Sequence, residues 1–232
     1  MLISERQQHI LDYLKQHQSA SVRVLTETFF ASEATIRRDL EELQRTGQIR
    51  RVYGGATLVT HGTQQIPLFV RENEHTKEKI LLCRRAVSLI RDGSVIFLDA
   101  SSTVQHMVRM LAEPRDVTVI TNGLKIAQMT GDMGIKTFVT GGRLLPESAA
   151  FVGPAAEQFV RNVRTDVCFL SCKGLNGQGD LTDTSEEETA LRRHILAGAQ
   201  TRVALMTANK MGKTYLHKLC HTDELDHLIT EP

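Results

Sequence analysis

The sequence predicts an α/β protein in two parts: a small N-terminal domain of three helices and a hairpin, then a larger domain on a mostly parallel sheet. Three observations predict it. The residue pattern changes character near residue 57; short apolar runs alternate with helices from Thr76 onward; and 232 residues suit one to two domains at about 150 residues each. Hydrophobic residues make up 41% and charged residues 24%, the ordinary balance of a globular chain. Lys and Arg sum to 28 against 27 for Asp and Glu, a formal net charge of +1. That balance excludes a polybasic nucleic-acid coat and an acidic solvating tail. No apolar run approaches the roughly 18 residues of a membrane helix, and the polar start Ser4-Glu5-Arg6-Gln7-Gln8 stands where a signal peptide is apolar. Cys83, Cys168, Cys172 and Cys220 form no CxxC pair, so a reduced, cytoplasmic protein without a disulfide framework is expected.

Each element has its own signal. Ile3, Ile10, Leu11 and Leu14 recur at helical spacing, with Ser4 placed to cap the first turn. Ser19-Ala20-Ser21 breaks that pattern, and Val24, Leu25 and Phe29 carry a shorter second helix. Ser32 is the N-cap candidate of a third, with Ile36, Leu40 and Leu43 as its apolar stripe and Gly47 as its stop. A strand-like run from Gln48 to Tyr53 meets a tight turn at Gly54-Gly55. Residues 1–57 therefore form one small domain, and residues 58–75, with no clear period, a linker. Residues 76–232 form the second domain. Its helices are expected at Thr76–Ile90, Leu124–Met129, Ala155–Val163 and Ser185–Ala199. Its strands are expected at Val95–Leu98, Val117–Ile120, Thr137–Val139, Val167–Leu170, Val203–Met206 and His227–Ile229. Continuous apolar strands alternating with helices argue a largely parallel sheet covered on both faces.

A second helix, a short turn and a third helix form the unit whose third helix enters the DNA major groove. Opposite the apolar stripe lie Ala34, Arg38, Glu41 and Arg45, with Thr35 and Arg37 flanking it near the N-terminal end. Arginine grips guanine with two hydrogen bonds, for about 1–3 kcal/mol of discrimination. Ser32 and Thr35 suit phosphates or either base, and Ala34 lets the backbone approach. Against this stands the charge count: three arginines (Arg37, Arg38, Arg45) face four acids (Glu33, Asp39, Glu41, Glu42), as on any solvated helix. Placement favours the DNA reading, because Arg37 and Arg38 occupy the first turns and Arg50-Arg51 follow as a wing able to grip the backbone.

These residues carry a resemblance. Ala34-Thr35-Ile36-Arg37-Arg38-Asp39-Leu40-Glu41-Glu42-Leu43, Gly47 and Arg51-Val52-Tyr53-Gly54-Gly55-Ala56 are similar to the signature of DeoR-type bacterial transcription regulators. The likeness continues through Leu98-Asp99-Ala100-Ser101-Ser102-Thr103, Thr121-Asn122, Thr140-Gly141-Gly142, Val152-Gly153-Pro154 and Lys210. It implies a winged helix-turn-helix and a phosphosugar-sensing domain resembling ribose-5-phosphate isomerase. It also implies a homo-oligomer (dimer or tetramer) on double-stranded operator DNA, usually repressing carbohydrate-use operons, with no catalytic role and no membrane. The sequence departs from the family at four places. Ser101 stands where the phosphate loop usually has Gly, Phe30 where the turn often has Gly, and Thr207 where an Asp is often found. Family members also commonly run on past the point where this sequence ends at Pro232.

The residues themselves point to a small phosphorylated effector. In open α/β sheets ligands settle beyond the C-terminal ends of the strands. Three such ends carry Asp99-Ala100-Ser101-Ser102-Thr103, Thr121-Asn122-Gly123 and Gly141-Gly142-Arg143. Backbone amides with Ser and Thr hydroxyls make an anion site, so Ser101, Ser102 and Thr103 are expected to cradle the phosphate. Asp99 is expected to accept from a sugar hydroxyl, Asn122 to do the same or hold the loop, and Lys173 and Lys210 to add positive charge. The rival is a sugar-phosphate isomerase, with Asp99 the one acid placed at a strand end as a base.

Other constellations are set aside. His217, Cys220, His221 and His227 match no zinc spacing and stand among expected helix residues, so neither a metal nor a cofactor is expected. Cys168 and Cys172 are expected on one face of a strand, packed as small apolar groups. Glu186-Glu187-Glu188 is expected to be a solvated cap on a helix dipole.

Overall fold

The structure, a computed structural model, describes residues 3–17, 19–45, 48–58, 68–111 and 116–231. It divides into two compact units, Met1–Glu74 and His75–Pro232.

In the smaller unit the elements are α1 (Ile3–His17), β1 (Ser19–Ser21), α2 (Val22–Phe29), α3 (Glu33–Arg45), β2 (Ile49–Val52) and β3 (Gly55–Leu58). The predicted apolar stripes meet: Ile10, Leu11 and Leu14, Leu25, and Ile36, Leu40 and Leu43 share one core with Ala20, Ile49 and Ala56. Both caps next to this core come from serines. Ser21 accepts from the Val24 amide, and Ser32 Oγ accepts from the Thr35 amide at 3.2 Å. Ser19–Ser21 is more than a break. It pairs antiparallel with β3, turning the expected hairpin into a three-stranded sheet of order β1-β3-β2. Gly55 permits this, since a Cβ there would stand 2.2 Å from the Ala20 carbonyl oxygen. The hairpin turn is accordingly Tyr53-Gly54, and Gly55 already belongs to β3. The expected stop at Gly47 and the Ser4 side-chain cap lie outside the described residues. Within the expected linker, Leu58 ends β3 and Leu68–Arg71 forms a short helix, α4. Residues 59–67 are outside the described residues.

The larger unit runs α5 (Thr76–Val87), β4 (Val95–Leu98), a 3-10 helix (Val104–Met110), β5 (Thr118–Thr121), α6 (Leu124–Asp132), β6 (Thr137–Val139), β7 (Arg143–Leu145), β8 (Ala150–Val152) and α7 (Pro154–Arg161). It continues through β9 (Thr165–Leu170), β10 (Gly174–Leu175), β11 (Asp180–Asp183), α8 (Glu186–Gly198), β12 (Ala199–Met206), β13 (His217–His221) and β14 (His227–Thr230). Six strands form the predicted sheet in the order β14-β12-β9-β4-β5-β6, and all its pairings are parallel. Alternate residues feed two cores. Ile96, Leu98, Val167, Phe169, Val203 and Leu205 join the core with α5 residues Leu82, Cys83 and Ala86. Phe97, Cys168, Leu170, Ala204 and Met206 join the core with Ala156, Val160, Leu191 and Ile195 of α7 and α8. Strands buried on both faces are apolar at every position, which is why their runs read as continuous.

Five features differ from the sequence reading. The β7–β8 hairpin and the antiparallel sheet β10-β11-β13 are additional; β7 and β8 are mostly apolar but only three residues each, β10 has two residues, and β11 and β13 are mostly polar, so none gives a run long enough to mark it. His217–His221 is a strand rather than helix. Cys172 lies beyond β9, though in the same core as Cys168. Of the three glutamates opening α8, Glu186 is exposed, Glu187 pairs with Arg143, and Glu188 is buried against Arg192 rather than solvated.

Candidate nucleic-acid interface and effector site

Helix α3 presents two unlike faces. Ile36, Leu40, Leu43 and also Asp39 are buried. Ala34, Arg37, Arg38 and Arg45 are exposed, with Ser32 and Thr35 at the helix start, where their hydroxyls lie 2.9 Å apart. Arg37 is 3.2 Å from Glu33 and Arg45 is 2.6 Å from Glu42, exposed pairs that a phosphate can displace because each is worth little in water. Among the described residues the side chains of Arg38 and Arg50 have no hydrogen-bond or ion-pair partner. Arg50 stands opposite Thr57 and Arg51 opposite Ala56 in the β2–β3 ladder. Arg51 is tied back to α3: its amide donates to Gln44 Oε1 at 2.7 Å and its guanidinium lies 3.4 Å from Glu41. The wing and α3 are thus one piece. The negative charge counted on α3 is also smaller at the surface than in sequence. Asp39 is buried and bonded to Arg6 of α1, a pair the sequence reading missed.

Because the large sheet is parallel, the loops after β4, β5, β6, β9 and β12 leave from one edge. Each predicted effector residue lies there. Ser101 Oγ accepts from the Val104 amide and caps the 3-10 helix. Its backbone is not left-handed, so serine replaces the family's usual glycine without strain. The Ser102 and Thr103 amides have no acceptor among the described residues. Thr103 Oγ1 is buried without a hydrogen-bond partner among them. Thr121 Oγ1 donates to the Leu98 carbonyl and accepts from the Gly123 amide. Asn122 accepts from the Ala100 amide and donates to the Phe151 carbonyl. It therefore joins the β4 loop to the β7–β8 hairpin. Gly141 and Gly142 have φ of +65° and +104°, and a Cβ on Gly142 would stand 2.5 Å from the Val152 carbonyl oxygen. Lys210 Nζ donates to Ser171 Oγ at 2.7 Å, and Lys173 Nζ donates to Thr184 Oγ1. Thr207 bonds Asn209 at 2.6 Å.

Asp99 is fully engaged from within. Oδ1 accepts from the Ser101 amide at 3.1 Å; Oδ2 accepts from the Ser171 amide at 3.3 Å and from Arg192 Nε at 2.9 Å. Arg192 is buried and also reaches Asp183 at 3.0 Å and Glu188 at 3.5 Å. Burial opposes its charge, but these three carboxylates outweigh burial and raise its pKa above the usual guanidinium value. A carboxylate held this way orders its loop. Lys79 was also unforeseen. It is buried in α5 with Nζ 3.2 Å from Ser102 Oγ. Lys79, Asp39 and Arg192 share one sequence signal, a charged residue lying on the apolar stripe of its helix. Among the described residues no group of three or more His, Cys, Asp or Glu is arranged to hold a metal ion. No described helix is long and apolar enough to cross a membrane.

The family model described as "DeoR-like helix-turn-helix domain" matches residues 6–61, and "DeoR C terminal sensor domain" matches residues 74–232. The chain belongs to the DeoR family. It is a DNA-binding transcription regulator, not an isomerase. It is similar to the L-fucose operon activator of Escherichia coli (strain K12), with 31% identity over 97% of this chain and 94% of that protein. It is likewise similar to a putative aga operon transcriptional repressor of Escherichia coli O157:H7, with 29% identity over 98% and 86%. Among solved structures, ribose 5-phosphate isomerase A from Methanocaldococcus jannaschii is similar at 17% identity and a TM-score of 0.46, over 60% of this DeoR-family chain and 55% of that chain.

Proposed function

We propose that this regulator represses a carbohydrate-use operon and that a phosphorylated sugar controls its hold on operator DNA. In this reading residues 1–57 are the reading head, 58–75 the connection and 76–232 the sensor of a cytoplasmic homo-oligomer. Ser32, Ala34, Thr35, Arg37 and Arg38 read the major groove while Arg50 and Arg51 hold the flanking backbone. Two heads one DNA turn apart, about 34–36 Å, would read a palindrome.

One observation carries the effector half: the amides of Ser102 and Thr103 stand without internal acceptors at the sheet edge, beside a lysine bonded to Ser102. An anion completes such a group of donors. Ser101 shapes that loop. Thr121, Asn122, Gly141, Gly142, Lys173 and Lys210 line the remaining edge, and Asp99 holds the loop rather than the sugar. The test screens phosphorylated and free sugars for a raised unfolding midpoint, since a native-state ligand stabilises by RT ln(1 + [L]/Kd). The reading expects a response only to phosphorylated sugars, with release of operator DNA by the same compounds. A response to free sugars alone overturns the phosphate assignment, and tighter operator binding with ligand overturns release as the output.

A further inference from the structure

The ion pair between α1 and α3 lies on the inward face of α3, away from its exposed arginines. Arg6 grips Asp39 with two nitrogens, Nε to Oδ2 at 2.5 Å and Nη2 to Oδ1 at 3.2 Å, and Gln7 Nε2 donates to Oδ1 at 3.4 Å. The Asp39 side chain is 2% exposed. The hydrogen bond to Asp39 raises the Arg6 pKa. No phosphate contact is open to Asp39, since it is buried and carries the wrong charge for phosphate.

We propose that Arg6 and Asp39 are positioning residues that fix the rotation of α3 about its own axis and so set its base preference. This rests on α3 being the DNA-reading helix. The other buried contacts of α3 are made by Ile36, Leu40 and Leu43, and apolar contact is non-directional; its polar contacts with Arg51 of the wing are made by the exposed residues Gln44 and Glu41. A two-toothed guanidinium–carboxylate pair is directional. It also acts at the lever that matters, because Arg38 is the immediate neighbour of Asp39 and Thr35 lies one turn before it. For side-chain atoms at the helix surface, about 5–6 Å from the axis, a rotation of roughly 10° is a movement of about 1 Å. Functional groups must be held to about 0.5 Å to act.

Charge and position make opposite predictions, which gives the test its sign. Asp39→Asn removes a negative charge from the reading helix, so electrostatics alone predicts tighter binding to any duplex. Loss of positioning predicts weaker binding to the preferred duplex only. The probe is a duplex enriched from a randomised pool by the full-length parent, with random duplex as competitor, at a temperature where circular dichroism shows each variant folded. Asp39→Asn is expected to lose about tenfold or more of its preference for the enriched duplex while holding random duplex at least as tightly. Arg6→Lys keeps the charge but loses the fork, and is expected to lose preference in the same way; it decides the matter if Asp39→Asn does not fold. Unchanged preference in folded Arg6→Lys, or a uniform gain for all duplexes in Asp39→Asn, overturns the proposal. If the parent enriches no duplex, the DNA-reading assignment of α3 falls first and this proposal falls with it.

Discussion

Phe30 shows how much a single backbone angle can matter. It closes α2 at φ 50° and ψ 42°, donating its amide to the Thr26 carbonyl, and its side chain is 96% exposed. The left-handed conformation costs an L-residue about 1–2 kcal/mol, and here no burial offsets it. Phe30→Gly is therefore expected to stabilise the smaller unit by about 0.5–1 kcal/mol after allowing for glycine's freer unfolded chain; denaturant unfolding of the full chain measures it, and a destabilisation contradicts the account. The cysteines make a second case. Burial pushes the thiols of Cys83, Cys168 and Cys220 up to about 12 and that of Cys172 to about 11. The native state thus holds these protons more tightly than the unfolded chain, whose thiols ionise near pH 8.5. Their contribution to stability is complete below that pH and is lost as pH rises toward 11–12. Native protein at pH 8 is expected to leave all four thiols unreacted with a thiol reagent, and denatured protein to react fully. Rapid reaction of any native thiol would contradict its burial.

Between elements, two connections carry distinct expectations. Arg192 of α8 holds Asp99 of the β4 loop, Asp183 of β11 and Glu188 of its own helix. Arg192→Met would strand three buried carboxylates, and breaking a buried pair costs about 3–5 kcal/mol. The unfolding midpoint should fall accordingly, and a variant as stable as the parent would mean that the cluster contributes nothing net. The wing offers the second. Arg50 is exposed and unpartnered among the described residues, whereas Arg51 is tied to Gln44 and Glu41 of α3. Arg50→Ala is expected to weaken all duplexes about equally and to reduce the salt slope by about 1, while Arg38→Ala costs about 1–3 kcal/mol at one base position. Binding measured across salt concentrations and base substitutions separates them. An Arg50→Ala variant selective in its loss would place Arg50 in a groove instead of on the backbone.

At the scale of the whole molecule, regulation is a coupling of two binding equilibria. An effector shifts DNA occupancy only through its different affinity for the binding and non-binding states. Coupling is reciprocal, so if a sugar phosphate weakens operator binding as proposed, operator must weaken sugar-phosphate binding by the same factor. Paired titrations of the full-length protein measure both. A ligand that raises the unfolding midpoint yet leaves operator affinity unchanged binds without regulating.

Much of this was legible before any fold was known. The three helices of the head, the six core strands and the loops at Ser101–Thr103, Asn122 and Gly141-Gly142 follow from period, caps and breakers, which act between residues close in sequence. The short strands β7, β8, β10, β11 and β13 were not legible, because strands of two to five residues are too short to show a period and exist only through their pairing. The partners of charged residues were equally hidden. Sequence placed Asp99 at a strand end and Asp39 on a charged helix. Only tertiary structure brought Arg192 to the one across 93 positions and Arg6 to the other across 33. Hydrophobic periodicity says which face of an element turns inward, while a buried charge must find its counterion wherever the folded chain happens to supply one.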